Sequence, residues 1–358
     1  MTFYPPDYSR DIEVALPQKQ PVFRKFALLT KLKFPLRGLG GYMYRVLLYY
    51  CYTPIADPEA FREKHHQLCL RLNLLGRIIV APEGLNGTVS GLADDCDAYM
   101  AAVKADPRFD ALEFKIDTAE EHAFQKLHVR VKPEIVHSEL PVDPLVQTGI
   151  HLEPAEFRAL KNDPDVVLVD MRSNYEHGMG KFTGAVTFDM ENLRELPDHV
   201  AEIAHLKDKK VITYCTGGIK CEKASAYLLS QGFENVYQLH GGIIKYGIEA
   251  EGEGFDGQCY VFDNRLAVDV NKVNPTVIST CHRCGTPSTR MINCASPACN
   301  NHLALCEACG DAHAGTCTDA CKADPLLRPY DGTGYYSKKP VGYTPEQGYR
   351  SRQRSKAV

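Results

Sequence analysis

Val211-Ile-Thr-Tyr-Cys-Thr-Gly-Gly-Ile-Lys-Cys-Glu-Lys-Ala-Ser225 passes from four β-forming residues, through a cysteine and a glycine pair, into helix formers. A continuous apolar run such as Val211–Tyr214 reads as a parallel strand buried on both faces. Functional loops of parallel sheets sit at the carboxyl ends of their strands, where Cys215 falls. A thiol is a useful nucleophile only as thiolate, and its ordinary pKa near ~8.5 has to be lowered. Gly217 and Gly218 let the backbone curl so that successive N–H groups of Thr216 to Ile219 point inward. That nest, the positive end of the following helix and the charge of Lys220 all stabilise an anion on Cys215. The bland alternative is an inert buried cysteine beside a glycine turn.

Outward from this loop the α/β pattern repeats. Val166-Val-Leu-Val169 is a second buried strand ending at Asp170, and Val236-Tyr-Gln-Leu239 a third. Glu222 to Gln231 reads as a helix closed by Gly232. Residues 151–255 are therefore expected to form a doubly wound α/β domain. Upstream, 44–137 read β-α-β-β-α-β with one additional short strand, the order of a ferredoxin-like α+β sandwich. Its strands are Arg45–Tyr52, Arg77–Val80, Gly87–Ser90, Leu112–Ile116 and Leu127–Val131. Asp57-Pro58 opens the first helix, with Phe61, His65, Leu68, Leu72 and Leu75 at helical spacing. Asp94–Ala105 is the second. Asn86-Gly87 marks a β-turn, and Glu83 and Asn86 beside it are weak candidates for RNA contact. Residues 138–150, with two prolines, read as a linker.

The composition is that of a globular protein: 358 residues, 44% apolar, 24% charged, net charge -4. Basic residues gather in the leader 1–43 (Arg24, Lys25, Lys31, Lys33 and Arg37, followed by Arg45) and in the flexible tail 326–358 (Lys338, Lys339, Arg350, Arg352, Arg354, Lys356). Such ends supply phosphate contacts or are merely solvated. No run reaches the ~20 apolar residues of a membrane span, and the N-terminus lacks a secretion signal. The expected location is the cytoplasm, where the 14 cysteines are thiols, metal ligands or catalytic groups. Eight of them lie within 278–325 as Cys281-x2-Cys284, Cys294-x4-Cys299, Cys306-x2-Cys309 and Cys317-x3-Cys321. Paired short spacings of this kind suit two structural zinc ions, paired sequentially or crossed, with an iron–sulfur cluster as the alternative. His282, His302 and His313 are read as bystanders.

The central domain resembles a rhodanese domain. Asp170-Met171-Arg172 with Tyr175-Glu176 resembles the element after that family's first core strand. Phe182-Thr183-Gly184-Ala185 resembles its F/I-x-G-A turn, and His240-Gly241-Gly242-Ile243 its closing motif. The resemblance makes Cys215 the reactive residue and Asp170, Arg172 and Glu176 its supports. A cysteine phosphatase needs arginine six positions after its nucleophile to grip phosphate, and Cys221 stands there instead. Cys221 is placed to resolve an oxidised or persulfidated Cys215 as a disulfide, or else faces the helix–sheet core.

Ala81-Pro-Glu-Gly-Leu-Asn-Gly-Thr-Val-Ser-Gly91, the cysteine loop and the cysteine-rich end together resemble the tRNA uridine-34 hydroxylase family over residues 44–325. The resemblance implies an oxidoreductase that uses molecular oxygen as co-substrate. It implies the anticodon loop of tRNA as partner and 5-hydroxyuridine at the wobble position as product. Neither the electron donor nor any protein partner is named by it. The family usually has arginine at Lys220; charge is kept, but a planar fork becomes a point charge, which puts bidentate contact in doubt. The other readings are a sulfurtransferase carrying a Cys215 persulfide and a non-catalytic zinc-bound adaptor.

Overall fold

The computed structural model describes residues 43–334 and 336. The leader before Met43 and the basic clusters of the tail lie outside the described residues. Arg45 is inside them, and it is ion-paired to Asp97. No helix among the described residues is long and apolar enough to cross a membrane.

The first layer pair is built from β1 (Tyr44–Tyr52), α1 (Pro58–Arg71), β2 (Leu75–Ala81), β3 (Gly84–Leu92), α2 (Ala93–Lys104), β4 (Lys115–Ala119) and β5 (Leu127–Val131). The sheet order is β4-β1-β3-β2-β5, with β5 parallel to β2 and the rest antiparallel. This is the expected ferredoxin-like sandwich with one strand added at an edge. Asp57 caps α1 by accepting the Ala60 N–H at 2.9 Å, and Pro58 takes the first turn. Leu47, Tyr49, Ile78, Val80 and Val89 bury one sheet face against Cys69, Cys96, Tyr99 and Val103 of the helices. His65 lies in this core, bonded to the Tyr99 hydroxyl at 2.7 Å, and burial pulls its pKa down to about 4.

Three local expectations shift. Leu75 is not on the helix: α1 stops at Arg71, Asn73 turns with φ 49°, and Leu75 opens β2. The hairpin turn is Pro82-Glu83, with Ala81 paired to Gly84, so Asn86-Gly87 lies inside β3. Gly87 is needed there for space, since a Cβ would meet the Tyr49 hydroxyl at 2.3 Å. The strand expected over 112–116 starts only at Lys115, because Leu112 is held in the turn after Phe109.

The second sheet comes from β6 (Ile150–Leu152), α3 (Pro154–Leu160), β7 (Val166–Asp170), α4 (Asn174–His177), β8 (Gly180–Phe182), β9 (Val186–Thr187), α5 (Leu196–His199), β10 (Lys210–Tyr214), α6 (Ile219–Ser230), β11 (Asn235–Leu239) and α7 (Gly242–Glu249). The order β6-β11-β10-β7-β9 is parallel throughout. Along β10 the side chains alternate between two cores. Val211 packs with Val169, Ile203 and Leu228 on one face, and Ile212 and Tyr214 pack with Phe157, Ile243 and Tyr246 on the other. Beyond it, Met291–Asn293 and His302–Ala304 form a hairpin within the cysteine-rich part.

Residues 132–149 carry no regular element, yet they are no slack tether. Ile135 and Leu140 are buried. The Glu134 carboxylate accepts the Ser138 and Glu139 amides and the ammonium of Lys223 at 2.7 Å. Glu83 takes the same ammonium at 2.8 Å and the Ile135 N–H at 2.7 Å, while Asn86 donates to the Ile135 carbonyl. Glu83 thus ties the first sheet to Lys223 of the second, and Glu83 and Asn86 together hold Ile135 of the connecting segment. Lys223 is only 2% exposed, and removing one partner of a buried ion cluster leaves the others uncompensated. Lys223→Met should cost about 2–4 kcal/mol in urea unfolding; unchanged stability would show that apolar packing alone joins the sheets.

Candidate active site

β10 delivers Cys215 to the sheet edge, and α6 starts four residues later, earlier than the sequence suggested. Gly218 is the helix N-cap, with φ 100°, a left-handed conformation that glycine adopts without strain. From there its N–H donates to the Cys215 sulfur at 3.2 Å. The His240-Gly241-Gly242-Ile243 motif braces the loop from the other side. Ile243 and Ile244 donate their N–H groups to the carbonyls of Cys215 and Thr216 at 3.0 and 3.1 Å, which turns the loop's own amides inward. A Cβ at Gly242 would lie 2.5 Å from the Cys215 carbonyl oxygen, so this brace requires glycine.

Burial by itself pushes the Cys215 thiol up. A hydrogen bond from Cys221, the Lys220 charge and the Lys220 and Gly218 amides outweigh it and bring the pKa down to about 7. Burial and the neighbouring Cys215 anion push the Cys221 thiol the other way, well above its usual range. The two shifts run in opposite directions, so Cys215 is the thiol of the pair that ionises first. Cys221 is also fully buried in the helix–sheet core, so both placements considered for it are met by one side chain.

The supports divide into two groups. Glu176, fully buried at the first turn of α4, accepts the Lys220 ammonium on Oε2 and the Thr216 hydroxyl on Oε1 at 3.3 Å. Its contact with Lys220 is through a single oxygen, as a point charge allows. The Lys220 ammonium also stands 5.9 Å from the Phe262 ring centre. Asp170 and Arg172 form a fork below the sheet edge, both fully buried, with Arg172 donating to Asp170 and to the Gly180 carbonyl at 2.6 Å. They hold the loop's surroundings in place, and no hydrogen bond joins them to the Cys215 sulfur.

The first sheet covers the loop, which sequence reasoning missed. Its face away from α1 and α2 presents Leu48, Tyr50 and Tyr52. Leu48 lies against Gly217, and the Tyr50 hydroxyl lies against Gly218. Tyr50 donates to Glu222 at 2.8 Å and Tyr52 to the Ile219 carbonyl at 3.5 Å. Cys215 is only 1% exposed as a result. A cavity of about 210 Å³ beside the loop is lined by Tyr50, Lys115, Glu222 and His240. A larger cleft of about 1090 Å³ adjoins Lys220 through Phe262 and is walled by Tyr175, Tyr260 and His302.

The eight cysteines of the C-terminal part form two sets. Cys281, Cys284, Cys306 and Cys309 make one; Cys294, Cys299, Cys317 and Cys321 make the other, with sulfurs within 4.8 Å of one another in each. The pairing is crossed. Sulfur separations of 3.5, 3.6 and 3.7 Å fit the edge of a tetrahedron with roughly 2.3 Å metal–sulfur bonds. Each set can hold a metal ion. None of His282, His302 and His313 belongs to either set.

A parallel sheet with a hydrogen-bonded thiolate in a glycine loop defines a rhodanese-type protein. Family models agree: UPF0176 acylphosphatase like domain over residues 44–135, Rhodanese-like domain over 153–249 and Rhodanase C-terminal over 256–322. The tRNA uridine(34) hydroxylase of Cytophaga hutchinsonii is 66% identical over 303 residues, 84% of this chain and 97% of that protein. Those of Enterococcus faecalis and Bacillus mycoides are 50% and 47% identical over 290 residues, 80% of this chain and 92% and 91% of theirs. The chain belongs to the tRNA uridine(34) hydroxylase family.

Proposed function

We propose that this chain hydroxylates the wobble uridine of tRNA at C5, using molecular oxygen, with the reaction centred on Cys215. The observation that carries this reading is the 66% identity to a named tRNA uridine(34) hydroxylase along almost all of that protein's length. It favours hydroxylation over sulfur transfer and over an inert adaptor. The intact thiolate site favours an enzyme as well. The partner is the anticodon loop, because RNA-modifying proteins reach bases most readily where they are unstacked. The aromatic cleft beside Lys220 offers flanking bases a stacking surface.

The thiol pair meets the electron balance. Uridine, O2 and two thiols give 5-hydroxyuridine, water and a disulfide: one oxygen atom enters the C5–H bond, and the other takes two electrons from the sulfurs, one proton from Cys221 and one from solvent where Cys215 is the thiolate. Cys215 and Cys221, both buried in the same core, supply both electrons when they close as a disulfide, which an external thiol reductant reopens. In this reading Cys221 is the resolving residue. The Lys220 charge and the Gly218 and Lys220 amides hold the thiolate in the Thr216-Gly217-Gly218-Ile219 loop, while Glu176, Asp170 and Arg172 hold that loop. The alternative is addition of the Cys215 thiolate to uracil C6, which enriches C5 without needing Cys221.

Mass spectrometry of an anticodon stem-loop RNA, incubated with protein, O2 and a thiol reductant, tests the reading. Wild type should form 5-hydroxyuridine at position 34. Cys215→Ser and Cys221→Ser should each reduce turnover at least about a hundredfold, as expected when catalytic partners act as a unit. Full turnover by Cys221→Ser would favour addition at C6, and full turnover by Cys215→Ser would remove this loop as the active site. We further propose that the two cysteine sets hold structural zinc, whose four-thiolate sites are closed and redox-silent. Elemental analysis should return two zinc ions per chain, and their removal should unfold the cysteine-rich part. Iron in their place would contradict the assignment.

A further inference from the structure

Four lysines lie around the junction of the two sheets, and three have carboxylate partners. Lys220 has Glu176; Lys223 has Glu83 and Glu134; Lys245 has Glu113 at 2.7 Å and Glu153 at 2.9 Å. Lys115 differs. It is 6% exposed, and its ammonium lies 4.7 Å from the Tyr50 ring centre. It has no ion pair or hydrogen bond to any described residue. The nearby carboxylates are already engaged. Glu113 is taken by Lys245 and His240, and Glu222 accepts Tyr50, His151, Thr148 and Gln238.

The side chain is largely covered and lines a cavity, so its ammonium, paired with no carboxylate, is left with donors for whatever occupies that space. The cation–π contact with Tyr50 orients the ammonium without using its N–H donors. No structural task explains the residue: the sheet edge it occupies pairs through its backbone, and the sheet-to-sheet ion cluster belongs to Lys223. Its position does suggest a task. Lys115 lines the 210 Å³ cavity with Tyr50, Glu222 and His240. The cavity adjoins the cysteine loop, for the Tyr50 hydroxyl touches Gly218 and bonds Glu222 on the first turn of α6. The cavity, about 210 Å³, has room for a single pyrimidine ring, and a hydrogen-bond acceptor on such a ring would find the Lys115 donors unused by any carboxylate.

We propose that Lys115 donates a hydrogen bond to O4 of the target uracil and is the residue that selects uracil over cytosine. This rests on the hydroxylase reading and deepens it. O4 is the acceptor that distinguishes the two bases: cytosine carries an amino group there, and an ammonium facing an amino group has donors on both sides and no acceptor. O2 is common to both bases and cannot discriminate. A ring bound by its O4 edge also presents neighbouring C5, where oxygen enters. Tyr50 supplies the flat apolar surface beside the ammonium on which such a ring can lie.

The test is a binding cycle with two anticodon stem-loop RNAs, alike except for uridine or cytidine at position 34, against wild type, Lys115→Met and Lys115→Arg. A good base-specific contact discriminates by about 1–3 kcal/mol, roughly 5- to 150-fold. Wild type should prefer the uridine RNA by at least about tenfold. Lys115→Met should erase the preference by losing affinity for the uridine RNA alone. Lys115→Arg, which keeps a charged donor, should retain part of it. Equal loss on both RNAs, a preserved preference in Lys115→Met, or no preference in wild type would each overturn the assignment. Product analysis on the same uridine RNA separates the two levels. If wild type forms no 5-hydroxyuridine, the hydroxylase reading fails and this inference with it. If wild type forms it while Lys115→Met keeps the preference, this inference alone fails. Unchanged thermal melting of the variants confirms that folded proteins are compared.

Discussion

An anion buried at a sheet edge is the constraint around which the molecule is arranged. Cys215 is nearly inaccessible, and burial opposes ionisation. It is held as thiolate because four groups converge on it: the Cys221 thiol, the Lys220 charge and two backbone N–H groups at the start of α6. Those amides point inward only while the loop carbonyls are held elsewhere, by the first turn of α7. Lys220 stays in place only while Glu176 anchors it, and Glu176 also fixes Thr216. The Asp170–Arg172 fork fixes the segment that leads into α4. The buried charge pairs of this region act on position more than on net stability, since a buried ion pair roughly repays its desolvation.

Covering this loop with a second sheet changes what it can do. A nucleophile under Leu48, Tyr50 and Tyr52 is shielded from bulk water and from casual oxidation. The site is a joint product of two domains, joined by Lys223 with Glu83 and Glu134 and by Tyr50 with Glu222. On the proposed reading, substrate chemistry draws on residues from both. The thiols come from the parallel sheet, and Lys115 and Tyr50 come from the ferredoxin-like one.

The legible parts of the sequence were those set by local pattern. Val211–Tyr214 followed by Cys215 and the glycine pair could only be a strand, a tight loop and a helix start. The helix began at Ile219 and not Glu222 because the left-handed Gly218 serves as its N-cap directly. Asn86-Gly87 misled, since an Asn-Gly pair usually signals a turn; contact with Tyr49, a long-range constraint, had chosen that glycine. The roof over the loop was missed for the same reason. A signal did exist: Val46 to Tyr52 is apolar at every position, which implies a strand covered on both faces, and only Leu47, Tyr49 and Cys51 were needed for the helix side. Lys115 gave no such signal, because one lysine in a strand is ordinarily solvated. The crossed cysteine pairing depends on the hairpin of 291–304, which brings Cys306 and Cys309 back to Cys281 and Cys284. Spacing carries no information about that return.

The central claim is that Cys215 is a thiolate near neutrality at the place where the target uridine binds. The rate of Cys215 alkylation by iodoacetamide, followed by peptide mass spectrometry across pH 5 to 10 with and without an anticodon stem-loop RNA, tests it most directly. A depressed thiol pKa means that the reactive form appears as pH rises through about 7 and stays constant above it, whereas an ordinary thiol rises through ~8.5. The account predicts a midpoint near 7 and strong suppression by RNA carrying uridine 34, with little suppression when that nucleotide is abasic. A midpoint at the ordinary thiol value, or equal alkylation with and without the uridine RNA, would contradict it.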